Sequence, residues 1–427
     1  GYQKYQDSGV EWLGDIPEHW EAVGLTKYLQ SLVDYRGKTP EKTKDGIFLV
    51  TAKNIKNGII DYSLSQEFIK EDEYDEIMRR GKPEIGDVLL TTEAPLGEVA
   101  NVDNTNIALA QRVIKMRGKI GVLYNYFLKY WILGASFSQN IQSLCTGSTA
   151  LGIKASKLCL LKVVLPPLNE QEKIAQFLDY KTKQIDELIK KKETLIEKLD
   201  EKRTAIISHA VTKGLDSSVP MKYSGIEWLG DIPKHWEVKR LKFVVSKIID
   251  AEHKTALYDD NGDYLVVRTA NVRTGELLLE NAKFTNESVY KEWTVRAVPE
   301  QGDILFTREA PAGEACLVPE KPIVCLGQRM VLFKFDKNKY NGYFLLQSLY
   351  SGIADEFIKS LSLGSTVAHF NMSDITSIPL FIPPYNEQKQ ISKHLDQKTA
   401  QIDQQKAKIK EAIELLKEYR TSLITNA

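Results

Sequence analysis

The chain has 427 residues, 43% hydrophobic and 27% charged, too many for one ordinary core and too apolar for a disordered polymer, so two to three soluble domains are expected. Lysine plus arginine and aspartate plus glutamate each number 57, and the net charge is zero. That balance does not announce a nucleic-acid binder, since a free-standing duplex binder usually carries a marked basic excess, but it is compatible with basic residues gathered on one face or with a ligand shared with partner proteins. No stretch is long and apolar enough to span a bilayer, and the start Gly1-Tyr2-Gln3-Lys4-Tyr5 carries no signal-peptide pattern, so a cytoplasmic protein is expected.

In chain order, the first motif is SGVEWLGDIPEHW, Ser8–Trp20, and it returns nearly letter for letter as SGIEWLGDIPKHW, Ser224–Trp236. Strands are expected at Phe48–Thr51, Asp87–Thr91 and Val113–Met116, and a helix over Tyr124–Gln142. The second half repeats them as strands at Tyr264–Val267, Asp303–Phe306 and Met330–Phe333 and a helix over Tyr340–Lys359. GDVLLTTEAPLGE from Gly86 becomes GDILFTREAPAGE from Gly302, and Gln111-Arg112 becomes Gln328-Arg329. Ser148-Thr149 maps to Ser365-Thr366, and Pro166-Pro167-Leu168-Asn169-Glu170-Gln171 to Pro383-Pro384-Tyr385-Asn386-Glu387-Gln388. One architecture is written twice. Between these anchors the halves diverge, as two related modules with different ligands would.

Each half ends in a long helix. Leu178, Ile185, Leu199 and Ile206 recur in a heptad frame, with Ile174, Leu188 and Leu195 as intervening partners and Lys181, Lys192 and Lys202 interrupting the seam. The second copy runs through Leu395, Ile402, Ile409, Leu416 and Leu423, with Ile391 and Ala412 alternating. Asn169-Glu170-Gln171-Glu172 places acids in the first turn and Gly214 stops the helix. About 40 helical residues span about 60 Å. A solitary helix would leave an apolar stripe in water, so the two are expected to pair with each other, antiparallel, with partner helices as a competing or additional use of the stripe. The fold class expected is α+β, with two similar globular domains separated by two long antiparallel coiled-coil helices: 1–167, a central helix 168–213, 214–384, and a terminal helix 385–427.

These motifs together resemble the specificity subunits of type I restriction-modification systems. The SG-EWLGDIP-HW opening, the GD-L-T-EAP-GE segment, the GST run and the PP-NEQ entrance to a long helix each occur twice, and the resemblance covers nearly the whole chain. It implies that each variable domain is a target-recognition domain reading one half of a split, asymmetric DNA site. It also implies that the helices set the gap and dock two modification subunits, which carry the methyl donor and the catalysis. A third, ATP-driven subunit translocates and cuts DNA. The chain itself is then no enzyme and needs no cofactor.

Side chains that pair with base edges or phosphates are Arg, Lys, Asn and Gln on loops beside strands. In the first half these are Arg36, Lys38, Lys53, Asn54, Lys56, Arg112 and Lys154; in the second, His253, Arg268, Asn271, Arg273, Arg308, Arg329 and Asn371. Thr92 against Arg308 is a change of side chain kept in frame, suited to altering readout without altering fold. Gln111-Arg112 and Gln328-Arg329 are retained pairs, suited to phosphate anchoring or internal bonding. Trp12, Trp20, Trp228 and Trp236 are expected to pack rather than stack on bases. The four cysteines, Cys145, Cys159, Cys316 and Cys325, form no CxxC pair and are expected to be buried thiols. Ile382-Pro383-Pro384-Tyr385 has Ile where an amino-methyltransferase motif needs Asn, and Gly37-Lys38-Thr39 lacks the earlier glycine of a phosphate loop. The six histidines show no metal or triad spacing.

Overall fold

The computed structural model describes residues 2–35, 40–145, 152–227, 230–252, 254–309, 311–352, 357 and 370–427. The chain divides into two compact units, one formed by 1–192 with 410–427 and the other by 193–409.

In the first unit the core sheet has four antiparallel strands in the order Leu96–Asn101, Val88–Thr92, Val113–Gly118, Leu29–Asp34. Val88–Thr92 is buried along its whole length, because successive side chains leave opposite faces of the sheet. Val88 and Leu90, with Ile114 and Met116, join the core beneath the helices Asn125–Leu133 and Ala135–Ser143. Leu89 and Val113 join a second core. That core is closed by a three-stranded sheet in which Ile107–Leu109 runs parallel to Ile47–Val50, and Phe68–Ile69 runs antiparallel to it. A strand pair, Glu21–Gly24 with Lys162–Leu165, lies near the start of the long helix.

The second unit repeats this sheet for sheet. Ala315–Leu317, Ile304–Thr307, Met330–Lys334 and Lys247–Asp250 form the four-stranded sheet, and Phe284–Thr285, Tyr264–Val267 and Ile323–Leu326 the three-stranded one. Glu237–Arg240 pairs with Pro379–Ile382. Ile304 and Phe306 face one core and Leu305 the other. The helix expected over Tyr124–Gln142 is two helices, because Gly134 adopts an extended backbone between them. In the second unit the helix expected over Tyr340–Lys359 begins as Gly342–Leu349, and residues 353–356 and 358–359 of that expectation lie outside the described residues.

The central helix is Leu168–Lys213 and the terminal helix Tyr385–Asn426. Gly214, at φ +79°, ends the former. Within the first unit Asp186 on the central helix ion-pairs with Arg420 on the terminal helix at 2.9 Å. Within the second, Arg203 meets Asp403 at 2.7 Å, and Lys406 meets Asp200. In the second unit the higher-numbered residue of the central helix meets the lower-numbered residue of the terminal one, so the helices run antiparallel there.

The seam differs in one row from the sequence expectation. Leu178, Ile185 and Leu199 are buried, as are Ile391, Leu395 and Ile402, while Ile174, Ile206, Ile409, Leu416 and Leu423 are half-buried. Leu188 and Leu195, however, are 43% and 46% exposed. The second inward row lies one residue further on: Thr182, Ile189, Ile196 and Arg203 on the central helix and Thr399, Lys406, Ile413 and Arg420 on the terminal one, all buried or half-buried. Polar residues hide this row from a hydrophobicity count. Thr182 bonds its hydroxyl to Leu178 O (2.7 Å) and meets Tyr130 Oη (3.1 Å), and the long cations bury their stems while pairing their heads.

Cys316 and Cys325 are buried, and burial pushes both thiols up to about 12. Cys145 is half-buried and Cys159 exposed, against the expectation that all four are buried.

Candidate nucleic-acid interface

The repeated motifs fall into two groups by what they touch. The first is structural. His19 Nε2 lies 2.9 Å from Glu170 Oε1, and Trp20 Nε1 donates to Glu170 Oε2 at 3.0 Å. His235 and Trp236 make the same pair of contacts with Glu387, at 2.7 and 3.1 Å. Gln171, fully buried, donates to Pro166 O and Val122 O and accepts from Tyr124 N, and Gln388 serves the same loop in the other unit. The HW and NEQ motifs are therefore two sides of one clamp fixing the sheet domain to the first turn of its helix. Trp20 and Trp236 are buried and Trp12 half-buried, as packing predicts; Trp228 lies outside the described residues.

Asp87 of the GD motif is also internal. Its carboxylate takes Arg117 at 2.6 and 2.8 Å, Lys115 at 3.3 Å and the Glu84 N–H at 2.9 Å. Burial pushes its pKa up, but the Arg117 bonds, the Glu84 N–H and the Lys115 charge outweigh that and hold it below the usual value. Asp303 is held by Lys334 at 3.1 Å and Lys337 at 3.0 Å.

The second group meets at one end of each four-stranded sheet, where its strands become loops. In the first unit Thr92 N donates to Arg112 O (2.9 Å) and Ile153 N to Thr92 O (3.1 Å), so the exits of three segments are tied together, with exposed Lys154 next in line. In the second, Arg308 N donates to Arg329 O (2.9 Å) and Phe370 N to Arg308 O (2.8 Å), with exposed Asn371 following. Arg112 and Arg329 occupy left-handed backbone, φ +75° and +68°. Their guanidinium Nε atoms lie 2.9 Å from Glu93 and Glu309, the first glutamates of the EAP motifs, which residue-by-residue reading of the sequence missed although the repeat displayed them. Left-handed backbone costs an ordinary residue about 1–2 kcal/mol. An exposed ion pair returns only ~0.2–1 kcal/mol. The two roughly cancel at best, so stability does not account for arginine at this turn.

Arg308 is less free than expected. Its Nη1 pairs with Asp250 at 2.5 Å and its Nε reaches Phe370 O at 3.3 Å, and the side chain is mostly buried. Thr92, its counterpart, bonds its hydroxyl to Arg112 O instead.

The remaining sequence candidates sit around a small hairpin in each unit. Asn54 and Asn271 are completely buried and close the loop: each accepts from a backbone N–H three residues earlier and donates to carbonyls beyond, Asp61 O and Leu64 O in one case and Leu278 O in the other. They correct the expectation that these amides face a ligand. Arg268 donates to Asn281 O and Arg273 to Thr269 O and Val272 O, so both are partly spent on carbonyls. Lys53 and Lys56 are exposed. The second glutamates of the EAP-GE motifs cap these hairpins, Glu98 accepting from Asn57 N (2.9 Å) and Glu314 from Thr274 N (2.6 Å). Arg36, Lys38, His253 and the two GST runs lie outside the described residues. Among the described residues no cluster of histidine, cysteine, aspartate or glutamate could hold a metal ion, and no helix is long and apolar enough to cross a membrane.

A family model, the type I restriction modification DNA specificity domain, matches the chain twice, over residues 17–198 and 233–415. A putative type I restriction enzyme MjaX specificity subunit from Methanocaldococcus jannaschii is 26% identical over 395 residues, 90% of this chain and 87% of the relative. The EcoKI specificity subunit of Escherichia coli K12 is 21% identical over 434 residues, 97% of this chain and 89% of the relative. A solved chain from work on complex assembly and conformational transition of the type I R-M system has the same fold, with TM-score 0.71 at 17% identity over 96% of this chain and 97% of its own. The HsdS subunit from Thermoanaerobacter tengcongensis matches at TM-score 0.54 and 18% identity, covering 96% of each. Two matched copies spanning most of the sequence, each folded to the same sheet plan, establish that this chain belongs to the type I restriction-modification DNA specificity family.

Proposed function

We propose that the chain is the non-catalytic, sequence-reading subunit of a type I restriction-modification complex, each sheet domain reading one half of a bipartite, asymmetric duplex site. The observation that carries this is the strand-exit end of the two core sheets, where one backbone plan bears unlike side chains: Thr92 bonded to a neighbouring carbonyl in one unit, Arg308 paired with Asp250 in the other. Like domains on unlike half-sites make a non-palindromic target, whereas identical domains would make a palindrome. Arg112, Lys154, Arg329 and Asn371 are the basic and amide groups best situated for contact. Lys53, Lys56, Arg268 and Arg273 are secondary candidates.

The paired helices in this reading set the spacing of the half-sites and hold two modification subunits, which position and methylate adenine, with an ATP-dependent restriction subunit joining through the complex. Exposed apolar side chains on the helices favour a protein partner: Phe177, Leu188, Leu195, Leu415 and Tyr419 lie outside the paired seam. Selection from a random duplex pool by the chain with its modification subunits tests the function. Two enriched segments at a fixed gap are expected, and a single segment or none would contradict it.

A further inference from the structure

Arg112 and Arg329 share three properties, each established within its own unit. Both occupy left-handed backbone, both have Nε against a glutamate carboxylate at 2.9 Å, and both side chains are about half exposed. Glycine would adopt that backbone without strain, and the exposed ion pair does no more than offset the strain. What arginine adds is an oriented cation. Its planar fork has five donors, and a glutamate at Nε leaves others for a second anion. The carbonyl of each arginine is bonded to the N–H of the in-frame variable residue, Thr92 or Arg308, so a common cation adjoins the position where the two units differ. Contacts common to every target are made to phosphates, and contacts that differ are made to bases.

We propose that Arg112 and Arg329 are DNA-phosphate anchors, one in each unit, aimed by Glu93 and Glu309 and indifferent to base sequence. The inference rests on the DNA-reading function above and adds a division of labour to it. The test uses the full chain with its modification subunits and the variants Arg112→Gly and Arg329→Gly, since glycine relieves the backbone and should leave the melting temperature unchanged or higher. Each variant should lower the slope of log affinity against log salt by about 0.9. Each should weaken binding to a specific and a random-sequence duplex by the same factor, with the selected sequence unchanged. An unchanged slope, a shifted base preference at one half-site, or a lowered melting temperature would overturn the anchors. A wild-type complex that binds duplex with no sequence preference would defeat the recognition function but not the anchors, whose change in slope is still read on random duplex.

Discussion

The indole Nε1–H of Trp236 donates to Oε1 of Glu387 over 3.1 Å, and Trp20 makes the same bond to Glu170 at 3.0 Å. Each bond joins the end of the opening motif to the first turn of a long helix, where a carboxylate also complements the helix dipole. Two motifs separated by about a whole domain in sequence are thus one contact, and it fixes the direction in which the helix leaves the sheet.

Glu387→Ala leaves the N–H of the fully buried Trp236 without its acceptor. Stability should fall by about 1–3 kcal/mol, read from the denaturant midpoint, while Glu387→Gln, which keeps an acceptor, should lose less. Equal stability of wild type and Ala variant would mean that the clamp is incidental.

The corresponding Glu170 gives the clamp a pH signature. Burial raises the Glu170 pKa, but hydrogen bonds from Trp20, His19 and Tyr2 outweigh it and hold the carboxyl below its ordinary value. A folded pKa below the unfolded one contributes stability above the unfolded value, which is lost as pH falls through the folded one. Glu170→Gln should therefore flatten part of the acid limb of melting temperature against pH; an unaltered limb would place the acid sensitivity elsewhere.

Asp87 and Asp303 are counterparts with unequal partners. Asp87 is held by Arg117 and by Lys115, whose side chain is 3% exposed, whereas the cations on Asp303, Lys334 and Lys337, are 18% and 39% exposed. Asp87→Ala strands a buried lysine and should cost about 3–5 kcal/mol. Asp303→Ala should cost less, because water reaches its cations. Chemical denaturation of the two variants checks the order, and the reverse order would contradict the burial argument.

Arg308→Ala removes one partner of Asp250 and one side of the exit loop in the second unit only. Base preference should relax or weaken at the half-site read by that unit and stay intact at the other, as scored by selection from a random pool. Equal losses at both halves would make Arg308 a purely structural residue.

Leu188 and Leu195 carry the docking claim. Leu188→Gln with Leu195→Gln should change stability by no more than about 0.5 kcal/mol, since both lie outside the seam, yet weaken capture of the modification subunits. Leu178→Gln, inside the core, should instead lower the melting temperature. Undiminished capture by the double variant would move the docking surface elsewhere.

Much of the fold was legible because repetition marks it. The strands around Val88, Val113, Ile304 and Met330 and both long helices follow from periodicity, and Gly214 ends the first helix where a left-handed residue is needed. The inward helix rows were half legible: leucine drew attention to Leu188 and Leu195, while the true second row runs through Thr182 and Arg203, whose polar groups find partners within the protein. At the recognition end, residue type alone could not separate Asn54 and Asn271, consumed by their own loops, from exposed Lys154 and Asn371. Nor could it show that Arg308 has an internal carboxylate partner, since Asp250 is far away in sequence. The EAP glutamates were visible as repeated letters, but their task becomes apparent only when the Gln-Arg turn lies beside them.

The most direct test of the central claim replaces residues 220–382 with a second copy of residues 4–165, so that both domains carry the first unit's loops. Adenine methylation by the resulting complex is then mapped across a genome. The account predicts a site whose two halves become inverted copies of the first half-site at a fixed gap. Retention of two unlike halves, or loss of all sequence preference by a folded, assembled complex, would contradict it.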